Sequence, residues 1–128
     1  MPAPPLRVLV IEDDRPLALM LRQAIEADGH QVRLAHDAPS AIAACEIFNP
    51  TTVLIDIGLP GIDGYALSEQ LRERACADGI RIAAVTGYAM PAYRGKSRVA
   101  GFDRHITKPV DLAELGRLLS AWADELEG

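Results

Sequence analysis

The sequence predicts an α/β fold in which helices cover both faces of a parallel β-sheet. Five short aliphatic runs alternate along the chain with longer segments of helical periodicity, which is typical of repeated β-α-β units. The aliphatic runs are continuous rather than alternating with polar residues, as expected for strands that are buried on both faces. The 128 residues suit one domain, and no repeat or internal linker divides them.

The aliphatic runs and the signals at helix ends predict the elements in chain order. Strands are expected at Val8–Ile11, Val32–Ala35, Val53–Ile55, Ile82–Val85 and, weakest of the five, His105–Ile106. The buried face of the first helix is predicted to consist of Leu17, Met20, Leu21, Ala24 and Ile25. Pro16 in its first turn and Gly29 just beyond its end mark the limits of this helix.

Four further helices are predicted after the later strands. The second runs from about Pro39 to Phe48, the third follows Asp63 as its N-cap, and the fourth spans about Pro91–Ala100. The fourth is expected to be the least stable, because Gly95 interrupts it and its apolar face is thin. The fifth begins after Asp111 as its N-cap, and its apolar face consists of Leu112, Leu115, Leu119, Trp122 and Leu126.

Composition narrows the classes of function. The net charge of -5 argues against nucleic acid as a direct partner, and no apolar run is long enough to span a membrane. The two cysteines, Cys45 and Cys76, fall in predicted helices and indicate no disulfide framework, so the reducing cytoplasm is the expected location. The Pro-rich residues 1–5 are predicted to form an extended tail before a domain of residues 6–126.

Polar groups follow the predicted strands, at the edge of a parallel sheet where ligands bind. These groups are Glu12, Asp13, Asp14, Asp56, Thr86 and Lys108, and Gly87 and Pro109 come directly after the last two of them. The carboxylate of Asp56 ends a fully aliphatic strand, and burying a charge without a partner is costly. We therefore expect Asp56 to lie in a site that it shares with the groups after the other strands, whereas Asp14 is interpreted as a solvated or capping acid.

The residue types in this set favour phosphoryl transfer to a carboxylate. Two carboxylates about 4 Å apart repel each other by about 4 kcal/mol at an effective dielectric constant of about 20, so a cation has to neutralise them. Open oxygen ligands suit Mg²⁺, which prefers a site shared with a phosphate. A lysine ammonium can bind the same carboxylate, and a threonine hydroxyl can donate to a phosphoryl oxygen. Aspartate is a known nucleophile that forms an aspartyl phosphate, which makes Asp56 the candidate acceptor.

Four segments give the chain a family resemblance when they are taken in order and spacing: VLVIEDD, LIDIGLPGIDGY, VTGYA and ITKPVD. From Leu6 to about Leu126 the chain resembles the receiver domain of two-component response regulators, most of all receivers attached to hybrid sensor histidine kinases. The resemblance implies a doubly wound, flavodoxin-like (βα)5 fold with a five-stranded parallel sheet in the order 2-1-3-4-5. It also implies a signalling domain that catalyses at most its own phosphorylation and dephosphorylation.

The resemblance implies a partner and a set of roles around Asp56. Asp56 would accept phosphate from the phosphohistidine of a sensor histidine kinase or a histidine phosphotransfer protein, and a phosphorylation-dependent dimer is a further expectation. The implied Mg²⁺ ligands are Asp13 and Asp56 directly, Glu12 mainly through water, and Gly58 through its carbonyl group. The implied phosphoryl-binding and switch residues are Thr86, Gly87, Lys108 and His105, of which His105 stands where the family often has Tyr or Phe.

The remaining implications concern conformation and docking. The Lys108–Pro109 bond would be cis, and the face made of the fourth helix, the fifth strand and the fifth helix would switch. Ala18 and Leu19 on the first helix, together with Pro60, would form an exposed docking surface for a partner helix. His30 and His36 flank the second strand without a metal-ligand partner in the sequence and are interpreted as surface residues.

Two alternatives stay open. A haloacid-dehalogenase-like phosphatase also uses an aspartate at a strand end with Thr, Lys and Mg²⁺, but it needs a second acid where this chain has Gly58. The other is a docking module of receiver fold that is never phosphorylated. The presence of Asp13, Asp56, Thr86 and Lys108 together argues against that second alternative.

Overall fold

The computed structural model describes residues 5–59, 63–74, 80–87 and 102–127. Within these residues the strands are β1 Arg7–Ile11, β2 Gln31–Ala35, β3 Thr52–Asp56, β4 Arg81–Thr86 and β5 Arg104–Thr107. The helices are α1 Arg15–Ala27, α2 Ala38–Phe48, α3 Gly64–Arg74 and α4 Leu112–Glu127. The helix α4 is the predicted fifth helix, since the predicted fourth helix, at about Pro91–Ala100, lies outside the described residues, as does Cys76.

The five strands form one parallel sheet in the order β2-β1-β3-β4-β5, which confirms the predicted fold class and strand order. The register sets Ile11 of β1 opposite Ile55 of β3. The next residue along each strand is an acid, so Glu12 and Asp56 emerge side by side at the carboxyl edge of the sheet. The parallel arrangement therefore brings together two carboxylates that are 44 positions apart in the sequence.

Two apolar clusters pack on the two faces of the sheet. Side chains that alternate along a strand point to opposite faces, and β1 divides accordingly. Leu9 and Ile11 pack with α2 and α3 on one face, whereas Val8 and Val10 pack with α1 and α4 on the other. This division explains why the central residues of β1 are aliphatic at successive positions, and it confirms that helices cover both faces.

An aspartate caps the start of each described helix. Its carboxylate accepts from a backbone N–H of the first turn, at 3.2 Å for Asp14, 2.8 Å for Asp37, 2.9 Å for Asp63 and 3.2 Å for Asp111. Such caps satisfy donors that have no partner within the helix. The cap of α1 fixes where the helix starts after β1, and it confirms that Asp14 serves as a cap.

The buried face of α1 differs from the predicted one. Ala18, Leu21 and Ile25 are buried, whereas Met20 is 44% exposed. The prediction favoured the larger apolar residue at position 20, but the helix turns the small side chain of Ala18 inward instead. Ala18 is fully buried and cannot belong to an exposed docking surface, so that prediction was wrong.

Candidate functional site

Three carboxylates lie together at the carboxyl edge of the sheet. Ligand atoms of Glu12, Asp13 and Asp56 all lie within 4.8 Å of one another. Glu12 and Asp56 are buried, with 1% and 6% of their surfaces exposed, whereas Asp13 is exposed. The strand ends of β1 and β3 thus place two buried acids beside one that faces solvent.

Lys108 supplies positive charge to the buried acids. Its Nζ lies 3.1 Å from Oδ2 of Asp56 and 3.1 Å from Oε1 of Glu12. Its backbone N–H donates to the carbonyl oxygen of Thr86 at 2.8 Å, which ties the end of β5 to the end of β4. The Lys108–Pro109 peptide bond is cis. The ammonium therefore bridges two carboxylates that would otherwise repel each other.

The second oxygen of Asp56 is bound by the loop that follows β3. The backbone N–H of Gly58 donates to Oδ1 of Asp56 at 2.8 Å. A Cβ atom at position 58 would lie 3.3 Å from the same oxygen, which is a tight contact. Glycine at this position thus lets the loop approach the carboxylate closely, and each oxygen of Asp56 has its own donor.

Burial and hydrogen bonding move the pKa values of these groups in different directions. Burial, followed by the hydrogen bond to Asp56, raises the pKa of Glu12 to about 7. Burial alone would raise the pKa of Asp56, but hydrogen bonds with Glu12, Gly58 and Lys108 hold it below its usual value. Burial likewise opposes the charge of Lys108, yet hydrogen bonds to the two acids raise its pKa. Near neutral pH Asp56 and Lys108 are therefore charged, whereas Glu12, with its pKa raised to about 7, takes up a proton as the pH falls through this range.

The donor set fits a hard divalent cation. All three candidate side chains offer carboxylate oxygens, and the exposed Asp13 leaves room for the water that Mg²⁺ retains. Oε1 of Glu12 is buried and, apart from its ion pair with Lys108, makes no hydrogen bond within the described part of the chain. A proton on Glu12 or a bound cation would relieve the repulsion between the acids, so the residues present fit the expected Mg²⁺.

The predicted phosphoryl-binding and switch residues lie on the neighbouring strands. Thr86 is buried at the end of β4, and the following Gly87 is exposed, with no atom of the described residues, apart from its chain neighbours, within 4 Å of where its Cβ would lie. His105 on β5 is half-buried, and its ring contacts Phe102 edge-on at 6.2 Å between centroids. Phe102 in turn stacks on Tyr65 of α3 at 5.3 Å. Two aromatic residues that the sequence did not single out thus connect His105 to the start of α3.

The predicted docking residues divide. Leu19 is 50% exposed on α1, as expected, whereas Ala18 is buried and Pro60 lies outside the described residues. The exposed Leu19 side chain is therefore the part of the predicted docking surface that the structure can place.

The two histidines beside β2 are not simple surface residues. Both are half-buried and hydrogen-bonded, His30 to the backbone of Leu6 and His36 to the backbone of Glu12. In each pair the partner lies 24 positions away along the chain. A local sequence pattern gives no signal for such a contact, and only pairing β1 with β2 residue by residue could have indicated it.

Asp103 is a further residue that sequence reasoning missed. Its carboxylate accepts from the backbone N–H of Ile82 at 2.8 Å and lies 3.2 Å from the guanidinium of Arg72. Asp103, just before β5, is therefore hydrogen-bonded to Ile82 near the start of β4. Its position just ahead of the weakest predicted strand was the one available signal.

Comparison with known proteins agrees with this geometry. The chain matches the response regulator receiver domain family over residues 8–120. It is 32% identical over 110 residues to the response regulator MprA of Mycobacterium avium. The aligned residues are 86% of this chain but 47% of MprA, so the chain spans about half the length of that relative.

Solved structures of receiver domains superpose on nearly the whole chain. The CheY-like receiver domain protein of Methanospirillum hungatei is 31% identical, with a TM-score of 0.86 and coverage of 97% of this chain and 98% of that one. The receiver domain of the Pseudomonas aeruginosa sensor histidine kinase PA1611, which has a magnesium ion in its active-site cleft, is 26% identical, with a TM-score of 0.81 and coverage of 94% and 99%. With this fold, this edge of the sheet and a family match that spans most of its length, the chain belongs to the response regulator receiver domain family.

Proposed function

We propose that Asp56 accepts a phosphoryl group from the phosphohistidine of a sensor histidine kinase or a histidine phosphotransfer protein. The observation that carries this proposal is the environment of its carboxylate, which is buried at the end of β3 with Gly58 N–H on one oxygen and Lys108 on the other. The lowered pKa of Asp56 keeps the carboxylate in its nucleophilic form at neutral pH.

The transfer exchanges one bond to phosphorus for another. A carboxylate oxygen of Asp56 forms the new O–P bond as the P–N bond to the donor histidine breaks, and the bonding electron pair stays on the imidazole nitrogen. Lys108, whose raised pKa keeps it charged, offsets the negative charge on Asp56 and the phosphoryl group. In this proposal the hydroxyl group of Thr86 donates to a phosphoryl oxygen, and Gly87, which follows it, also binds the phosphoryl group.

The acidic cluster is the proposed Mg²⁺ site of this reaction. Asp13 and Asp56 would bind the ion directly, Glu12 mainly through water, and Gly58 through its carbonyl oxygen. When bound, Mg²⁺ supplies positive charge that stabilises the phosphoryl oxygens. The magnesium ion in the cleft of the PA1611 receiver supports this choice of metal.

The signal is proposed to leave through β5 and α4. Thr86 pairs in register with Thr107 of β5, and His105 is the second residue of that strand. A cleft of about 430 Å³ between β5 and α4 is lined by His105, Pro109 and Leu118, among others. A shift of Thr86 toward a phosphoryl group would change this face, which could then bind a second phosphorylated copy.

The partner and the location belong to the same proposal. The proposed location is the cytoplasm, and the buried thiol of Cys45, which forms no disulfide within the described residues, is compatible with that reducing compartment. Among the described residues no helix has the length and apolar character needed to cross a membrane. Direct binding of nucleic acid is not part of the proposal, given the net charge of -5.

Labelling with a small phosphodonor tests the acceptor. Wild-type protein incubated with acetyl phosphate and Mg²⁺ should gain one phosphoryl group by intact mass, whereas Asp56→Asn should gain none. Asp14→Asn is the matched control, because asparagine also caps helices and Asp14 lies outside the acidic cluster. Undiminished labelling of Asp56→Asn would refute the assignment, and failure of wild-type labelling would favour the docking module.

The phosphatase alternative has its own readout. A haloacid-dehalogenase-like enzyme would turn over an external phosphoester many times, whereas a receiver would not. Such an enzyme needs an acid at the position of Gly58, which this chain lacks. We therefore expect no turnover of p-nitrophenyl phosphate by the wild-type protein, and that result supports the receiver proposal. Multiple turnover by wild-type protein would favour the phosphatase.

The exposed Leu19 side chain tests the partner. Leu19→Asp should slow transfer from the cognate phosphohistidine protein while leaving labelling by acetyl phosphate unchanged, because the small donor needs no protein surface. Met20→Asp on the same helix, where Met20 is 44% exposed, is the matched control. Equal losses in both reactions would mean that Leu19 matters for folding rather than for docking.

A further inference from the structure

Two histidines flank β2, and each binds the backbone at one end of β1. At the amino edge of the sheet, the N–H of Leu6 donates to Nδ1 of His30 at 3.0 Å. At the carboxyl edge, Nδ1 of His36 lies 2.9 Å from the carbonyl oxygen of Glu12. A carbonyl oxygen only accepts hydrogen bonds, so Nδ1 of His36 carries its hydrogen, whereas Nδ1 of His30 does not. The two rings therefore have opposite donor and acceptor roles.

The ring of His36 continues the pairing of β1 and β2 beyond the last paired residues. The ladder ends with Ile11 opposite Ala35, after which the N–H of Glu12 donates to the carbonyl oxygen of Ala35 at 2.9 Å. The carbonyl group of the same residue then accepts from His36. Both polar groups of the Glu12 backbone are thus held by the end of β2.

The carbonyl group of Glu12 belongs to the peptide unit that joins Glu12 to Asp13. Rotation of this planar unit would change the direction in which the chain enters Asp13, and therefore the position of its carboxylate. The side chain of Glu12 is itself fixed by the N–H of Asp14, which donates to Oε2 at 3.2 Å. The hydrogen bond from His36 thus acts on the link between two members of the acidic cluster.

His36 is anchored at the start of α2. The backbone N–H groups of His36 and Asp37 both donate to Oγ of Ser40 at 3.3 Å. The N–H of Ser40 donates in return to the carboxylate of Asp37 at 2.8 Å, which completes a capping box. The ring of His36 is therefore held at a helix end rather than on a free loop.

We infer that His36 is a positioning residue, whose Nδ1–H fixes the Glu12–Asp13 peptide so that both carboxylates stay grouped with Asp56 for metal binding. This inference rests on the proposed function of the acidic cluster. Loss of a residue that hydrogen-bonds to a metal ligand typically lowers the metal affinity by about 10-fold to 100-fold. Because His36 acts through the backbone, an effect of about 10-fold is expected.

Two substitutions separate the hydrogen bond from the bulk of the ring. His36→Leu removes the donor, whereas His36→Asn keeps an N–H donor at the δ position of the side chain. Calorimetric titration with Mg²⁺ should give a dissociation constant about 10-fold higher for His36→Leu and close to the wild-type value for His36→Asn. His30→Leu removes the corresponding bond at the opposite edge and should leave the Mg²⁺ affinity unchanged.

Amide hydrogen exchange in the metal-free protein gives a second readout that needs no Mg²⁺. His36→Leu should speed exchange at the Glu12 amide and not at the Leu6 amide, and His30→Leu should do the reverse. Unchanged Glu12 exchange and Mg²⁺ affinity in His36→Leu would overturn the inference, as would equal affinity losses in both leucine variants. If wild-type protein binds no Mg²⁺, the proposed function fails, whereas the exchange data still decide the role of His36.

Discussion

The two edges of the β-sheet treat polar groups in opposite ways. At the amino edge two backbone N–H groups donate to uncharged acceptors, that of Leu6 to Nδ1 of His30 and that of Arg7 to Oγ1 of Thr51, each at 3.0 Å. At the carboxyl edge, the buried carboxylates of Glu12 and Asp56 face the Lys108 ammonium, which lies 3.1 Å from each. The amino edge thus serves stability, whereas the carboxyl edge holds charges that a cation and a phosphoryl group can use.

The two edges should also respond to pH in opposite directions. The pKa of Glu12 rises from 4.5 to about 7 on folding, so the folded state binds the proton more tightly and stability is lost as pH rises through this range. Burial lowers the pKa of His30 below 6.5, so the unfolded state binds the proton more tightly and stability is lost as pH falls below that value. Near neutral pH, Glu12 and His30 therefore change the free energy of unfolding with pH in opposite directions.

The largest effect on stability is expected from removing the positive charge of the carboxyl edge. Lys108→Met leaves two buried carboxylates without their cation and should lower the free energy of unfolding by about 3 kcal/mol at pH 8. The loss should be smaller at pH 5, where Glu12 is protonated. Arg7→Met is the control at the amino edge, where Arg7 Nε donates to the carbonyl oxygen of Asn49 at 2.7 Å, and it should cost about 1 kcal/mol.

Denaturant unfolding of both variants at the two pH values measures this difference. Equal losses for Lys108→Met and Arg7→Met, or a Lys108→Met loss that does not depend on pH, would contradict the view that the carboxyl edge is electrostatically strained.

Mg²⁺ should raise the free energy of unfolding by nearly as much as Lys108→Met lowers it. A ligand that binds only the folded state adds about 2.7 kcal/mol at a concentration 100 times its dissociation constant. The gain should vanish in Asp13→Asn, which removes an exposed carboxylate of the cluster without opening a cavity. Thermal melts with and without Mg²⁺ measure it, and a melting temperature of the wild type that ignores saturating Mg²⁺ would exclude the metal site.

Neutralising Glu12 should stabilise the metal-free protein while weakening its site. Glu12→Gln removes an acid whose charged form is disfavoured by burial, so the free energy of unfolding should rise by about 2 kcal/mol at pH 8 and be unchanged near pH 4. The same variant should bind Mg²⁺ more weakly. Glu26→Gln, at an exposed ion pair with Arg22, is the control and should change stability by less than about 0.5 kcal/mol. Destabilisation by Glu12→Gln at pH 8 would show that the charge of Glu12 is favourable.

The sequence predicted the carboxyl edge better than the amino edge, for a physical reason. Asp56 ends one predicted strand and Lys108 follows another, and parallel strands bring their carboxyl ends together, so spacing along the sequence was enough to group them. The strand order came from the family resemblance. The hydrogen bonds of His30 and His36 depend instead on which backbone groups remain unpaired where β1 and β2 end, and this is settled by register rather than by local pattern.

The error on α1 has a related cause. Periodicity placed Met20 inside because it is large and apolar, yet the structure buries Ala18 and exposes Met20. Close packing of a helix on a sheet can favour a small residue over a hydrophobic one, and a pattern that scores hydrophobicity cannot register this. The same limit hid Phe102 and Tyr65, whose stacking depends on how α3 sits beside β5.

The smallest effect on the free energy of unfolding is expected at the amino edge, where it depends on protonation of one side chain, His30. His30→Asn keeps an acceptor at the δ position for the N–H of Leu6, so at pH 8 its stability should stay within about 0.5 kcal/mol of the wild type. His30→Leu leaves that N–H without an acceptor in a buried setting and should cost about 1 kcal/mol. Asp28 and Arg117 line the same cleft as His30, and the charge of Asp28 partly opposes the lowering of the His30 pKa. Below pH 6.5 the wild type should lose stability that His30→Asn retains, because asparagine takes up no proton. Unfolding curves of the three proteins between pH 8 and pH 5 test this, and parallel pH profiles of the wild type and His30→Asn would mean that the amino edge does not sense pH through His30.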